Sequence, residues 1–281
     1  LLFILCLMLL FLDNWWRGSG WQYFAFACAC VGFSALIRPT EILTGLIPVG
    51  FLFQRWKDQG CKMNHLPLFA KEIGGGIVAF LFFIFPIFLF WKFATGSWVA
   101  YTYEQEGFYF DRPSQIWYGL FGFRKGWFIY TPMAALALSG LFFLFRDQRL
   151  KGFYSAILWF LPFNIFIVPS WYCWWYGGCF GQRAFIPVLA LLAFPLALLL
   201  EKAVRARILV YVCAICFLFL NVFQSFQYQR QIIHMDAMTW ESYAFVFGKW
   251  KLSYDQIRRR NSMLDRPDYL QRGKKLNEYF K

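Results

Sequence analysis

The stretch IGGGIVAFLFFIFPIFLFW, residues 73–91, runs for nineteen positions without a single charge. At about 1.5 Å per residue a helix of that length reaches about 28 Å, the thickness of a bilayer hydrocarbon core. It is apolar on every side, so it has no face to turn toward water. Comparable runs lie at 1–12, 21–37, 42–53, 127–145, 153–169, 185–200 and 208–223. Trp15, Trp16, Trp21, Trp56, Trp91, Trp127 and Trp171 fall at their ends, where an interfacial belt belongs. The fold class expected is an all-α polytopic transmembrane helix bundle of about eight spans. Residues 1–223 form the membrane domain and 224–281 a C-terminal extramembrane tail that abuts the membrane.

Composition agrees. Sixty per cent of residues are hydrophobic and 15% charged, against about 45–50% and about 25% in soluble domains. Such a chain cannot cover itself with polar surface, so its solvent must be lipid. The apolar run at Leu1–Leu12 begins at full strength, with no basic region before it and no small-residue cleavage site after it. The expectation is a C-terminal portion of a longer protein whose first span is truncated.

Orientation follows from the basic residues. If every run crosses, loops 13–20, 54–72, 146–152 and 201–207 share one side and hold 11 Lys and Arg in 41 positions. The opposite loops 38–41, 92–126 and 170–184 hold 6 in 54. The positive-inside rule puts the first set in the cytoplasm and the second outside. A cell (inner) membrane location with an external active face is expected.

The net charge of +13 does not make a nucleic-acid binder. Its 28 basic residues are scattered through short loops and a tail holding 11 of them with six acids, so no basic groove with aromatic platforms can be assembled. Cys6, Cys28, Cys30, Cys213 and Cys216 sit inside apolar runs as small hydrophobes. Cys173 and Cys179 share one external loop and are candidates for a disulfide. His65 and His234 are isolated, so no metal-ligand cluster is present and no cofactor is evident. A divalent metal is left open, with no ligands identifiable.

Chemistry gathers on the outer face. Arg38 precedes Pro39, Arg124 and Lys125 lie between Gly122 and Gly126, and Arg183 follows a Gly-rich turn. Each stands before an apolar run. A helix start offers unpaired N–H groups and the positive end of the dipole, and an Arg fork beside it suits phosphate. The plainer alternative is interfacial anchoring of each side chain. Sugar or acceptor contacts are candidates at Glu41, Glu104, Glu106 and Asp111, and at Tyr101 and Tyr103 of the Tyr-rich loop.

Four stretches, GFSALIRPTEIL (32–43), GFRKGWFIYTP (122–132), SWYCWWYGGCFGQRAFIP (170–187) and QYQRQIIHMDAMTWESYAFVF (227–247), resemble the polytopic glycosyltransferases of the GT-C fold. The closest group is protein-mannosyltransferase-like and uses polyprenyl-phosphate sugars. The resemblance implies transfer of a sugar from such a donor to a glycan, lipid or protein acceptor at the external face. It also implies a catalytic carboxylate in a first external loop, upstream of Leu1. Arg38, Arg124, Lys125 and Arg183 correspond to basic positions near the donor phosphate. The alternative expectation is a transporter or flippase of a lipid-linked or anionic solute.

Overall fold

The computed structural model describes residues 1–60, 69–101 and 106–266. The elements are helical: α1 (Leu2–Trp16), α2 (Trp21–Ile37), α3 (Leu46–Asp58), α4 (Ala70–Thr95), α5 (Ser114–Phe121), α6 (Trp127–Tyr130) and α7 (Pro132–Ser139). They continue as α8 (Leu141–Arg146), α9 (Lys151–Ile167), α10 (Ile186–Lys202), α11 (Arg207–Gln229), α12 (Trp240–Val246) and α13 (Tyr254–Ser262). Short 3₁₀ turns at Pro39–Gly45, Gln148–Leu150 and Arg183–Phe185 precede α3, α9 and α10. Extended pairing among the described residues is limited to an isolated bridge between Phe108 and Trp171.

Four helical stretches are long and apolar enough to cross a membrane: Ala70–Thr95, Gln148–Ile167, Arg183–Lys202 and Arg207–Gln229. Shorter apolar helices cover Leu2–Trp16, Trp21–Ile37 and Pro132–Arg146. The count of about eight spans is thus shown only in its coarser form. The run expected at 127–145 is cut into α6, α7 and α8. Thr131 leaves the helical region at φ −139° before Pro132, which has no N–H to continue the ladder. The run at 42–53 is likewise divided, its first part belonging to the 3₁₀ turn and its second to α3. The boundary at 223/224 falls inside α11, which runs on to Gln229.

The chain divides into two compact units. The first comprises Leu1–Thr102, Ala137–Ile165 and Ile186–Arg205. Its core holds Met8, Leu12, Trp15, Phe51, Phe153 and Phe160. Between lipid-solvated helices there is little hydrophobic drive, so close backbone approach and dispersion contacts decide the packing. The glycines serve that end. A Cβ on Gly75 would stand 2.5 Å from the Trp21 ring, and one on Gly50 would stand 2.7 Å from the Ala156 backbone. These sites let α4 lie on α2 and α3 on α9. The outer face of α4 is bare, with Phe82 72% and Phe93 88% exposed. An apolar groove of about 740 Å³ runs between α2 and α4, lined by Phe33, Leu36, Leu81, Phe82 and Phe85 among others.

One end of this unit joins the basic loops expected to share a side. Arg55 donates to the Trp15 carbonyl at 3.1 Å and lies 4.4 Å over the Trp15 ring. Lys151 pairs with Asp58 at 3.6 Å, and Lys202 with Asp147 at 2.6 Å. Asp147 caps the turn into α9, accepting from the Arg149 backbone N–H at 3.0 Å and its guanidinium at 3.1 Å. Hydrogen bonds from Arg149, then Lys202, hold this carboxyl well below its usual range. A depressed folded-state value means the stabilisation is complete above about pH 4, the ordinary aspartate value. It is lost as pH falls through the lower folded value. Wild type should therefore melt above Asp147→Asn at neutral pH, and the gap should close on acidification; a gap that widens in acid would contradict the assignment.

The second unit comprises Tyr103–Leu136, Phe166–Phe185 and Ala206–Lys281. Its buried cluster is Tyr130, Ile232, Ile233, Met238, Tyr243, Val246 and Leu252. Gln224 and Gln227, fully buried near the end of α11, staple this cluster. Gln224 donates to the Ile129 carbonyl and the Tyr243 hydroxyl, and Gln227 to the Val246 and Lys249 carbonyls. The amides let α11 continue past its apolar run, because folded backbone satisfies the polar groups that lipid cannot. α12 and α13 both open with a capping box, at Thr239 and Ser253.

Candidate functional site

The 122–126 turn is built by its glycines. Gly126 N–H donates to the Gly122 carbonyl at 2.6 Å, and any Cβ on Gly126 would lie 2.4 Å from that same oxygen. The tight closure sends Arg124 and Lys125 toward different partners. Arg124 donates to the Asp265 carboxylate and carbonyl, each at 2.6 Å, and its guanidinium lies 4.9 Å over the Trp175 ring. Lys125 is buried at 2% exposure, its ammonium donating to the carbonyls of Cys179 and Met235. Burial pushes this ammonium below its ordinary range, while the Cys179 thiol and Asp236 oppose the shift. Lys125 thus ties three chain segments together, and Arg124 adds a fourth point at Asp265.

The 170–183 loop is equally held. Its start pairs with 107–109 through Tyr109 N–H to the Ser170 carbonyl at 2.6 Å and Tyr172 N–H to the Gly107 carbonyl at 2.9 Å. Tyr176 adopts φ 54°, a region disfavoured for residues with a Cβ, and its hydroxyl donates to the Val168 carbonyl at 2.9 Å. Gly181 combines φ 55° with a position where a Cβ would meet Tyr130 at 2.9 Å, so only glycine fits. Gln182 donates to the Trp174 carbonyl at 2.7 Å. Cys173 and Cys179 are both free thiols, so the disulfide expectation is not met.

This loop delivers Arg183, which is exposed. No described carboxylate forms an ion pair with it. Arg183 lies near enough to Lys125 to act on it electrostatically, and so does Asp236. The expectation of three basic residues at helix starts is corrected in part. Arg38 precedes a 3₁₀ turn, and Arg124 and Lys125 precede the four-residue α6. Neither carries the aligned peptide dipoles of a long helix. Only Arg183 leads, through its own 3₁₀ turn, into a helix of span length.

No family model matches the chain, and neither does any curated protein or solved structure.

The remaining candidates are dispersed. Glu41 is buried at 6% exposure and pairs with Arg38 at 3.3 Å, burial raising its carboxyl against the Arg38 charge. Both belong to the first unit. Glu106 accepts a hydrogen bond from the Tyr172 hydroxyl. Asp111 and Tyr101 are exposed. Glu104 and Tyr103 lie outside the described residues, as does His65. No group of His, Cys, Asp and Glu suited to a metal is found among the described residues.

His234 and Asp236 were missed by the sequence reading. The imidazole Nδ1 stands 3.3 Å from the Asp236 carboxylate. Burial holds His234 below its ordinary pKa, with Asp236 opposing and Arg260, Arg266 and Lys125 reinforcing. The spacing H-x-D was visible in the chain, but nothing in it marks a loop that folds back onto Lys125. Arg260 completes the surround, buried and donating to the carbonyls of Gln231 and Ile232.

Proposed function

We propose that this chain is part of a membrane glycosyltransferase that takes its sugar from a polyprenyl-phosphate donor and passes it to a hydroxyl acceptor on the external face. The observation carrying the reading is Arg183. It is exposed and paired with no described carboxylate, on a loop whose position Lys125, Tyr176 and Gln182 fix. A guanidinium in that state is a ready fork for a phosphate oxygen pair. The donor phosphate leaves with the charge that develops as the acceptor oxygen attacks the anomeric carbon. Holding that charge in a fixed electrostatic setting is the protein's main task. The apolar groove along α2 and α4 suits an isoprenoid chain.

The four span-length helices favour this over transport. Their acidic and basic residues stand near the ends, among them Glu72, Lys92, Lys151, Glu201, Lys202 and Arg207, whereas ion pathways place ionisable groups at depth. Binding tests the reading directly. The full-length protein in nanodiscs should retain polyprenyl phosphate and not polyprenol, and equal retention of the two would remove the phosphate site.

Sidedness has its own test. In a Cys-free full-length protein, Cys at exposed Ser114 should react with an impermeant reagent from outside, and Cys at exposed Gln148 only after lysis. Ser170 is unsuitable because it is buried and donates to the Phe166 carbonyl. The reverse labelling pattern would put Arg183 on the cytoplasmic face and defeat an external reaction.

A further inference from the structure

The lipid-facing stripe of α11 does not stop at the helix end. Ile208, Val212, Ile215, Phe219 and Val222 are exposed along it. Phe219 stacks on Phe223 at 5.3° of tilt or less, with ring centroids 6.3 Å apart. Trp250 then closes on Phe223 at 4.7 Å and on Phe226 at 5.4 Å, while remaining 61% exposed. Phe223 and Phe226 stand six and three residues before Gln229. At 1.5 Å per residue that sets Trp250 roughly 5–9 Å inside the helix end, the depth of a headgroup boundary. Phe247 and Tyr254 are exposed on the same segment.

Cations ride on the neighbouring rings. Arg230 lies 5.5 Å over Phe226, Lys249 lies 3.5 Å over Phe245, and Arg259 lies 5.1 Å over Phe245. Between Phe245 and Arg260 the chain carries Lys249, Lys251, Arg258, Arg259 and Arg260 against the single acid Asp255. Of these only Arg260 is turned inward.

We infer that Phe245–Arg259 is a seat on the membrane surface, with Trp250 inserted at headgroup level and Arg230, Lys249 and Arg259 binding anionic lipid headgroups. The apolar stripe continues directly from a helix long and apolar enough to span, so the surface that covers Trp250 is the one that covers Phe219. The excess of cations selects the anionic lipids within that surface, each basic group favouring them by roughly fivefold. The inference stands whether or not the chain transfers sugars.

The test uses the full-length protein, one copy per nanodisc, with Trp250→Phe as the reference that isolates the emission of Trp250. In discs of phosphatidylglycerol, bromine placed near the glycerol end of the acyl chain should quench that emission, and bromine at the methyl end should not. Arg230→Gln/Lys249→Gln/Arg259→Gln should lose the quenching difference between phosphatidylglycerol and phosphatidylcholine discs. Absence of shallow quenching would overturn the seat. Equal quenching in both lipids for wild type would overturn the anionic selection. Trp250 emission that changes only when two copies share a disc would assign the surface to a second copy of the chain.

Discussion

Arg183→Lys is expected to weaken retention of polyprenyl phosphate by the full-length protein roughly tenfold or more, about 1.4 kcal/mol or above, while leaving its melting temperature unchanged. Lysine keeps the charge and loses the planar fork, so a purely electrostatic anchor would tolerate it. Arg183 is exposed and makes no ion pair with a described carboxylate, so its loss should leave the fold intact. Arg183→Ala should go further in the same direction. Wild-type retention in both variants would return Arg183 to the role of an interfacial anchor.

Lys125→Met is expected to do the opposite. The ammonium satisfies two backbone carbonyls and faces Asp236, all in a buried setting. Methionine matches its length but leaves those oxygens without a donor and the carboxylate without a nearby cation. Removing one partner from a buried charged contact costs on the order of 3 kcal/mol. A lowered melting temperature of the full-length protein is the readout, accompanied by faster proteolysis between Cys173 and Asp236. If stability were unchanged and only phosphate retention fell, Lys125 would be a ligand contact and not a clamp. The two substitutions therefore separate the residue that holds the loop from the residue the loop presents.

The sequence legibility of this chain differs sharply between fold and site. Apolar length is a local property, and α2, α4, α10 and α11 stand where their runs lie. The sharing of one end by basic loops was legible too, through Arg55 with Trp15, Lys151 with Asp58 and Lys202 with Asp147. What failed were elements decided by single backbone breaks, such as Thr131–Pro132, where an unbroken apolar pattern hides three short helices. Site reading failed for a different reason. Arg124 and Lys125 are adjacent and were given one role, yet the closure of Gly126 on Gly122 directs them to separate partners more than fifty positions away in the chain. Asn221, Gln224 and Gln227 recur every third position at the end of α11. That polar stripe was the available sign that the helix end is buried against folded backbone. His234 and Asp236 gave no such sign, since their meaning depends on Lys125.

The central claim is that the phosphate held near Arg183 belongs to a lipid that loses its sugar. Release of free polyprenyl phosphate measures this most directly. Membranes containing the full-length protein should convert a polyprenyl-phosphate sugar, offered with native acceptor-bearing membranes, to free polyprenyl phosphate and a glycosylated acceptor in equal amounts, and Arg183→Lys should reduce both together. Movement of the intact lipid-linked sugar across the membrane with no glycosidic bond broken would contradict the account and establish a transporter instead.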